Sequence, residues 1–522
     1  MFKKKEKENK YVPIGTGEIH RAYETLQSYK AGKASVDARI VENEQWWKLR
    51  HYSGSETEAS AWLFNAVINR HADAMDNFPE VICLPREERD KNGARLLTQV
   101  LPVILEENRF ESTYSDCWYD KLKSGSACYG VFWNKNLDHG AGNIDVRRVD
   151  MLNLFWEPGV TDIQKSKNLF HVELWDNDAL RHQYPVLADS LSTPVFESVR
   201  YLYDDAVDTS DKSALIDWYY KKNGAVHFAK FCNGVLLYAS ENDSEYAERG
   251  FYDHGKYPFV IDVMYPIQGS PCGFGLIDAM RGTQSQIDSL GSAIMDNAKM
   301  AAKRRYFVRT DGAVNEEEFA DWSKSFVHYS GSGDPSSSIF PINNPVLSQV
   351  YVSILNNKID ELKETSGNRD FSQGSTSGGV TAASAIEALQ EAGNKTSRDM
   401  IGASYRCYEE ICAIAIELIR QFYTVSRTFR ITGDDGSYSF ISCKGDSLCS
   451  EGWTPVFDIK VRAHKKSAYS RAAANELALQ LYQLGVFSPE HSFEAGLCLD
   501  MMEFEGKDDI VRRLREIGGA AL

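Results

Sequence analysis

The sequence predicts an α+β protein with a long helical hairpin near its middle. Apolar residues recur every three or four positions through most of residues 19–124, whereas between residues 128 and 264 they alternate in short runs separated by turn residues. The first pattern is typical of amphipathic helices and the second of β-strands. A pair of long helical patterns then follows, one after residue 275 and one after residue 343, with a short polar and aromatic segment between them. Helices followed by a mixed or antiparallel sheet place the first part in the α+β class.

The bulk composition restricts the classes of protein that fit. A chain of 522 residues, 43% hydrophobic and 12% aromatic, is expected to fold into two or more structural units. Its formal net charge of −16 argues against gripping nucleic acid with the whole surface, because phosphate binding uses many Lys and Arg contacts. The net charge of −16 is also explained if it serves only to keep the protein soluble.

Motifs for membrane insertion and for common chemistry are missing from the sequence. No apolar run reaches the roughly 18 residues of a membrane span, and the charged N-terminus lacks the apolar stretch of a signal peptide. Ten scattered cysteines without C-x-x-C pairs predict neither a zinc site nor a disulfide framework, and they fit synthesis in a reducing cytoplasm. Phosphate-loop, zinc-helix and nucleophile-elbow motifs are absent. We therefore expect no catalytic residue, no metal and no cofactor.

The first part of the chain carries four helical patterns and a series of strand patterns. The helices are predicted at residues 19–49, 62–75, 94–107 and 114–124. The strands are predicted at residues 128–133, 143–149, 152–156, 169–174, 214–220, 226–232, 235–239 and 259–264, with a short helix at 177–184. Asn233-Gly234 has the composition of a two-residue hairpin turn. Further strands at residues 427–431, 438–442 and 455–462 are expected to return to this sheet.

The helical hairpin begins after a breaker-rich run. Its first helix is predicted from Leu276 to Ala302, about 40 Å long at about 1.5 Å per residue. The helix ends in the basic cluster Lys303, Arg304 and Arg305. This cluster either contacts phosphate or caps the negative end of the helix and forms ion pairs between subunits.

The returning helix of the hairpin is predicted to open at Asn344 and Pro345 and to stop near Ser366. Between the two helices, a small α/β unit is predicted from three patterns. These are strands at residues 306–308 and 326–329 and a short helix at 316–322.

A segment rich in Gly, Ser and Thr follows the hairpin. Residues 366–382 contain almost no apolar side chains and are therefore predicted to form a mobile loop. A third helix, longer than is usual, comes next, and Gly393 and Gly402 are the positions where we expect it to bend. Beyond it, residues 470–484 form an amphipathic helical pattern, followed by two shorter ones.

This order of elements resembles the portal protein of tailed bacteriophages, the head-to-tail connector. Two motifs add to the resemblance: Tyr265-Pro266 followed by Gly273-Phe274-Gly275, and Thr376-Ser-Gly-Gly-Val-Thr-Ala-Ala-Ser-Ala-Ile386. Gly273-Phe274-Gly275 also begins like a dinucleotide fingerprint, but the third glycine is missing. The resemblance is strongest over residues 257–433 and extends over nearly the whole chain.

The resemblance implies a portal-like fold with seven consecutive regions. They are an α/β wing (1–271), stem helix 1 (272–303), a small α/β clip (304–343), stem helix 2 (344–365), a tunnel loop (366–382), a long kinked helix with returning wing strands (383–464) and a helical crown (465–522).

The resemblance also implies a function. Copies would form a closed ring, typically dodecameric in that family, at one capsid vertex of a virion assembled in the host cytoplasm. Double-stranded DNA would be packaged and ejected through the ring without sequence-specific binding. The implied partners are the terminase large subunit, the head–tail adaptor, and the major capsid and scaffolding proteins, with no membrane and no covalent chemistry.

Besides the basic cluster, two further sets of residues are candidates for direct contacts. The DNA-facing set in the loop is Asn368, Arg369, Ser372, Gln373, Ser375, Thr376 and Ser377, whose polar groups can touch a phosphate backbone without reading bases. A simple interdomain linker is the alternative. The second set, in the clip, is Glu316, Glu317, Glu318 and Asp321. These acids are candidates for docking the motor and the adaptor, whereas the alternatives are a solvated helix start and a metal or acid–base site.

Two other functions compete with a portal. Another virion neck or tail component is disfavoured by the chain length and by the long hairpin with its inserted unit. A metal-dependent nucleic-acid-processing enzyme would use the carboxylates near Glu316, and DNA cleavage abolished by Glu317→Ala would support it.

Overall fold

The structure is a computed structural model, and it describes most of the chain. The described residues are 13–52, 57–187, 191, 211–302, 305–308, 314–321, 323–330, 339–342, 348–367, 395–432, 438–448, 455–465, 480, 482–485, 499, 510 and 513. The predicted crown, residues 465–522, therefore lies almost wholly outside them.

Helices come first along the described chain, most strands follow, and a second group of helices precedes the last three strands. The helices are α1 (Thr16–Trp47), α2 (Trp62–Asp76), α3 (Lys91–Glu107), α4 (Phe110–Ser124), α5 (Asn177–Gln183), α6 (Leu276–Ala302), α7 (Glu316–Ala320), α8 (Gln349–Ser366) and α9 (Lys395–Phe422). The strands are β1 (Asn77–Pro85), β2 (Ser126–Asn134), β3 (Asn143–Val149), β4 (Leu154–Trp156), β5 (Asn168–Asp176), β6 (Lys212–Lys222), β7 (Ala225–Cys232), β8 (Val235–Ala239), β9 (Phe259–Val263), β10 (Tyr265–Pro266), β11 (Gly273–Phe274), β12 (Tyr306–Val308), β13 (Ile339–Pro341), β14 (Arg427–Thr432), β15 (Tyr438–Cys443) and β16 (Phe457–Lys465). The predicted α+β class is confirmed.

The chain divides into two compact units. The first comprises Met1–His71 and Ser112–Cys407, and the second comprises Ala72–Glu111 and Tyr408–Leu522. None of the helices in the described part of the chain combines the length and apolarity that a bilayer span needs.

The first unit is built on antiparallel sheets. Its five-stranded sheet has the order β4-β5-β6-β7-β8, and a three-stranded sheet has the order β3-β2-β9. Helix α1 packs on the larger sheet, where Tyr29 meets Phe170 edge to face with ring centroids 5.9 Å apart. Eight consecutive residues of β6 are buried, as expected for a central strand covered on both faces.

Two hairpin turns set the register of the larger sheet. The predicted Asn233-Gly234 turn joins β7 to β8, and both of its residues have positive φ, 47° and 79°. Asn223-Gly224 forms a second such turn between β6 and β7, with φ values of 52° and 85°. Two positive φ angles give the turn the twist that a two-residue hairpin needs. The sequence analysis missed this second turn, although its Asn-Gly pair carries the same signal.

The second unit contains the strands that follow α9. The prediction that they return to the sheet of residues 128–264 is wrong. Strand β16 pairs with β1 over nine residues in continuous register, and β14 pairs with β15 as a hairpin. Helix α3 packs on β1, where the Thr98 hydroxyl accepts a hydrogen bond of 3.0 Å from the Cys83 amide. One face of β1 thus packs against α3, and one edge of β1 pairs with β16.

The helical hairpin agrees with the sequence in its first helix and differs beyond it. Helix α6 has the predicted bounds, and Ser348 caps α8, so α8 begins four residues after Pro345. The predicted strand at residues 326–329 is wrong, because β12 pairs with β13, and Tyr329 forms only an isolated bridge to Val314. Gly402 lies within α9, whereas Gly393 lies outside the described residues.

A buried ion pair joins helices and sheet in the first unit. The Lys121 side chain is 0% exposed, and its Nζ donates to Asp262 Oδ1 (2.7 Å), to Ser404 Oγ (2.7 Å) and to the Met400 carbonyl (3.0 Å). The Ser404 hydroxyl also donates to the other carboxylate oxygen of Asp262. All donors of the ammonium are used, so α4, β9 and α9 are held together by one fully paired charge.

Replacing Lys121 by Met should destabilise this unit. Removing one partner of a buried pair leaves the other charge uncompensated, which costs about 3–5 kcal/mol. The free energy of unfolding from urea titration measures the loss. Arg181→Met is the control, because Arg181 pairs with Asp178 on an exposed helix surface and should cost less than about 1 kcal/mol. Equal effects of the two substitutions would contradict a structural role for the buried pair.

Candidate functional site

The helical hairpin is buried at one end only. The buried residues of α6 all lie in its first half, and none follows Asp288. Helix α8, which packs against α6, has buried residues only at its last turns, Leu362 and Ser366. The far half of both helices and the small α/β unit between them therefore lie outside the core.

Polar groups fix the buried end of α6. Gln284 Nε2 donates to Ser60 Oγ (2.6 Å) and to Asp288 Oδ1 (2.8 Å), while Gln284 Oε1 accepts from the Leu63 amide (3.2 Å). Asp288 Oδ1 also accepts from the Ser60 amide at 3.0 Å. His51 lies 3.6 Å from the other carboxylate oxygen, and burial lowers the pKa of its imidazole. The start of α2 is thus tied to the middle of α6.

The Gly273-Phe274-Gly275 motif allows a close backbone approach. A Cβ atom at Gly275 would lie 2.7 Å from the Leu122 carbonyl oxygen and 2.8 Å from the Gly125 nitrogen. Asp278 caps the start of α6 by accepting from the Gly275 amide at 2.8 Å. A Cβ atom at Gly273 would lie 2.3 Å from the Tyr265 carbonyl oxygen. Close backbone packing therefore accounts for both glycines, against the end of α4 at Gly275 and against β10 at Gly273.

The exposed end of the hairpin carries a large apolar surface. We call it the distal apolar surface, and it includes residues of both helices and of the α/β unit. Its members are Met295, Met300, Phe307, Val308, Phe319, Phe326, Val327, Tyr329, Phe340, Val350, Tyr351, Val352 and Ile354. Phe326 is 78% exposed and Val350 is 61% exposed. Exposed large apolar side chains grouped at one end of the hairpin in this way indicate an interaction surface.

The four acids predicted for docking divide into two pairs. The Glu318 carboxylate accepts from the His328 amide (2.9 Å) and meets His328 Nδ1 at 2.7 Å, which lowers its pKa. Asp321 accepts from the Ser323 amide and hydroxyl, which lowers its pKa in the same way. Both therefore organise the α/β unit itself. Glu316 and Glu317 are exposed in the first turn of α7.

The predicted basic cluster is described only at Arg305. This residue is exposed, and its carbonyl accepts from the Ile342 amide at 2.8 Å, which extends the β12–β13 pairing by one step. Lys303 and Arg304 lie outside the described residues. Their predicted contact with phosphate or with a neighbouring subunit stays a prediction.

The seven predicted DNA-facing residues lie outside the described part of the chain, but the two ends of their segment lie within it. Arg70, on α2, reaches both ends. Its Nε and Nη2 donate to the Ser366 carbonyl at 2.9 and 2.6 Å, and Nη1 donates to the Ser397 hydroxyl. Gly367 ends α8 in the left-handed conformation, with φ of 66°.

Arg70 was missed by the sequence analysis, although a signal was present. It is 5% exposed and lies on the same buried helical stripe as Leu63, Ala66, Val67 and Ala74. An arginine among apolar residues at spacings of three and four predicts a buried partner for its charge. The partners of Arg70 are far away in sequence, so they could not be predicted from the sequence alone.

No group of three or more His, Cys, Asp or Glu side chains in the described ranges is arranged to hold a metal ion. The carboxylates near Glu316 that were considered for metal or acid–base chemistry are among those described. Among them, the Glu318 carboxylate contacts His328 and Lys324, and the Asp321 carboxylate contacts Ser323.

The family comparison identifies the class of protein. The family model for phage P22-like portal proteins matches residues 65–258 and 252–521, which together cover most of the chain. This chain belongs to the family of P22-like phage portal proteins. It is a structural protein of a bacteriophage capsid with a role in genome packaging. No curated protein matches the chain significantly.

Substituting Glu318 by Ala should loosen the α/β unit. The carboxylate holds the His328 backbone and ring, so hydrogen exchange over residues 326–329 should rise in Glu318→Ala and stay unchanged in Glu316→Ala and Glu317→Ala. The pKa of Glu318 is lowered in the fold, so its stabilisation is complete above the unfolded value of about 4.3 and is lost as pH falls through the lower folded value. Equal exchange in all three variants would refute this role.

Proposed function

We propose that this portal protein forms a closed ring at one vertex of the capsid, and that double-stranded DNA passes through its central channel during packaging and ejection. The observation that carries the proposal is the distal apolar surface. A large apolar side chain gains about 1.5–3 kcal/mol on leaving water, and thirteen such side chains are exposed on the hairpin and its α/β unit. Adjacent copies of the chain would cover them.

The geometry of the hairpin supports a ring of repeated copies. An interface that joins one side of a subunit to a different side of the next is heterologous, and it closes into a ring when the rotation per subunit divides a full turn. Two packed helices held at one end present two opposite sides to such neighbours. We propose twelve subunits, the number typical of the portal family.

The regions of the chain follow the portal arrangement in this proposal. Residues 1–271 supply the wing, residues 272–303 and 344–365 the two stem helices, residues 304–343 the clip and residues 366–382 the tunnel loop. Residues 383–464 supply the long helix and the strands after it, and residues 465–522 the crown. Within residues 383–464, β14 and β15 pair with each other, and β16 pairs with β1, which lies within residues 1–271. In this proposal β16 therefore returns to the wing at β1 and not at the sheet of residues 128–264.

The clip is the proposed docking site for the terminase large subunit and later for the head–tail adaptor. Glu316 and Glu317 point out from α7 with exposed carboxylates, so they remain available to a basic partner surface. Glu318 and Asp321 act indirectly by shaping the unit. Contacts of the wing and crown with the major capsid and scaffolding proteins belong to the same proposal.

DNA would make only weak contacts with the channel. The net charge of −16 limits the strength of binding to phosphate, since tight binding uses many Lys and Arg contacts. Arg369 and the neighbouring Ser, Thr and Gln side chains of the tunnel loop are the proposed contacts. Loose binding keeps the duplex able to slide, and an external ATPase supplies the force.

Purified protein should form closed rings in electron micrographs and by native mass spectrometry, and Val350→Asp should reduce their formation at least tenfold. Val350 is exposed in the monomer, and an acid in the first turn of α8 favours the helix dipole, so the substitution should act on assembly and spare the fold. A tenfold loss corresponds to about 1.4 kcal/mol.

Asn356→Asp is the matched control for this experiment, because it adds the same charge to an exposed polar position of the same helix. It should assemble like the unmodified protein. If the Val350→Asp and Asn356→Asp variants form rings to the same extent, the distal apolar surface is not the subunit interface.

Deleting Gly374–Gly379 should leave ring assembly intact and impair DNA packaging or retention. The deletion shortens the proposed tunnel loop without touching α8 or the described part of α9. Packaged DNA per particle, measured by quantitative PCR after nuclease treatment, reads out the effect. Normal packaging and retention by the deleted protein would refute the DNA-contact role of the loop.

A further inference from the structure

Arg70 connects two points that are far apart in sequence and border one segment. The Ser366 carbonyl lies in the last residue of α8, and Ser397 lies in the first described turn of α9. The proposed DNA contacts lie in the residues between them. Both serines are buried, at 2% and 4% exposure, so the guanidinium joins the two ends inside the unit.

The chemistry of the contact requires arginine in particular. A guanidinium presents several donors in a rigid plane, so that one edge holds a carbonyl with two hydrogen bonds while another donor reaches a hydroxyl. The carbonyls at the end of α8 have no partner within the helix and carry the negative end of its dipole. Charge-assisted hydrogen bonds in a buried setting are among the strong ones.

We propose that Arg70 is a positioning residue that fixes the two ends of residues 367–396 relative to each other. Its role for DNA rests on the function proposed above. Once α8 and α9 are joined at Arg70, the residues that border the segment on its two sides lie at a set separation. Each subunit of a ring then presents its segment from the same place, which a channel with identical contacts in every copy requires.

The experiment compares hydrogen exchange in Arg70→Met, Arg70→Lys and the unmodified protein. Arg70→Met should raise exchange at least tenfold both at the end of α8, residues 361–367, and at the start of α9, residues 395–404. Arg70→Lys keeps the charge but loses the planar fork, so it should restore little of the protection. A simple need for buried charge predicts full rescue by lysine, and that result would overturn the proposal.

Arg281→Met is the matched control, because Arg281 pairs with Glu42 at 2.6 Å on the hairpin helix α6 and does not contact Ser366 or Ser397. It should leave exchange at both ends unchanged. If Arg70→Met fails to fold, Ser397→Ala keeps the proposal testable. This variant removes only the hydroxyl partner and should raise exchange at residues 395–404 while residues 361–367 keep their protection.

DNA packaging by the same variants separates this proposal from the function on which it rests. Raised exchange at both ends together with loss of packaged DNA supports both. Raised exchange with normal packaging supports the positioning role and refutes the DNA role of the segment. Unchanged exchange in Arg70→Met refutes the positioning role, even when the Gly374–Gly379 deletion still impairs packaging.

Discussion

Gln284 and Asp288 bind the middle of α6 to the segment before α2, and the exposure of the far half of the hairpin depends on this attachment. Their amide and carboxylate oxygens accept from the Leu63 and Ser60 amides, so the chain entering α2 is fixed to the hairpin by its backbone. Buried backbone amides are costly to leave unpaired. A projecting pair of helices needs such a base, because the helices bury little of their own surface beyond it.

The fold of the individual elements could be predicted because their signals are local. Leu276 to Ala302 has one apolar stripe, and α6 has those bounds. Asn233-Gly234 predicts its turn because both residues tolerate positive φ. Pairing between distant elements could not be predicted. Strand β16 pairs with β1 across more than 370 residues, and several strands with similar alternation could compete for that edge.

The candidate site was predictable in its position and much less so in its contacts. The periodicity of apolar residues and the breaker residues between them indicate where the hairpin and the α/β unit lie. Glu318 and Asp321 are bound within the unit because residues 323–328 fold back onto them. Glu316 and Glu317 stay exposed. The sequence does not show where this segment folds back, so it does not divide the four acids in this way. Arg70 has a visible signal in its apolar stripe, but its partners, Ser366 and Ser397, are separated from it by about 300 residues. Such contacts follow only from the tertiary structure.

Buried charges and exposed apolar side chains lie in different parts of the first unit. Its interior combines an apolar core with the buried side chains of Lys121 and Arg70, which donate to Asp262 and to the Ser366 carbonyl. The exposed end of the hairpin carries the thirteen apolar side chains of the distal apolar surface. Buried directional contacts specify one geometry, and apolar contacts supply most of the association energy without fixing direction. The subunits of a ring must all have the same conformation. Buried polar contacts fix that conformation within each subunit, and apolar contacts can then join neighbouring subunits.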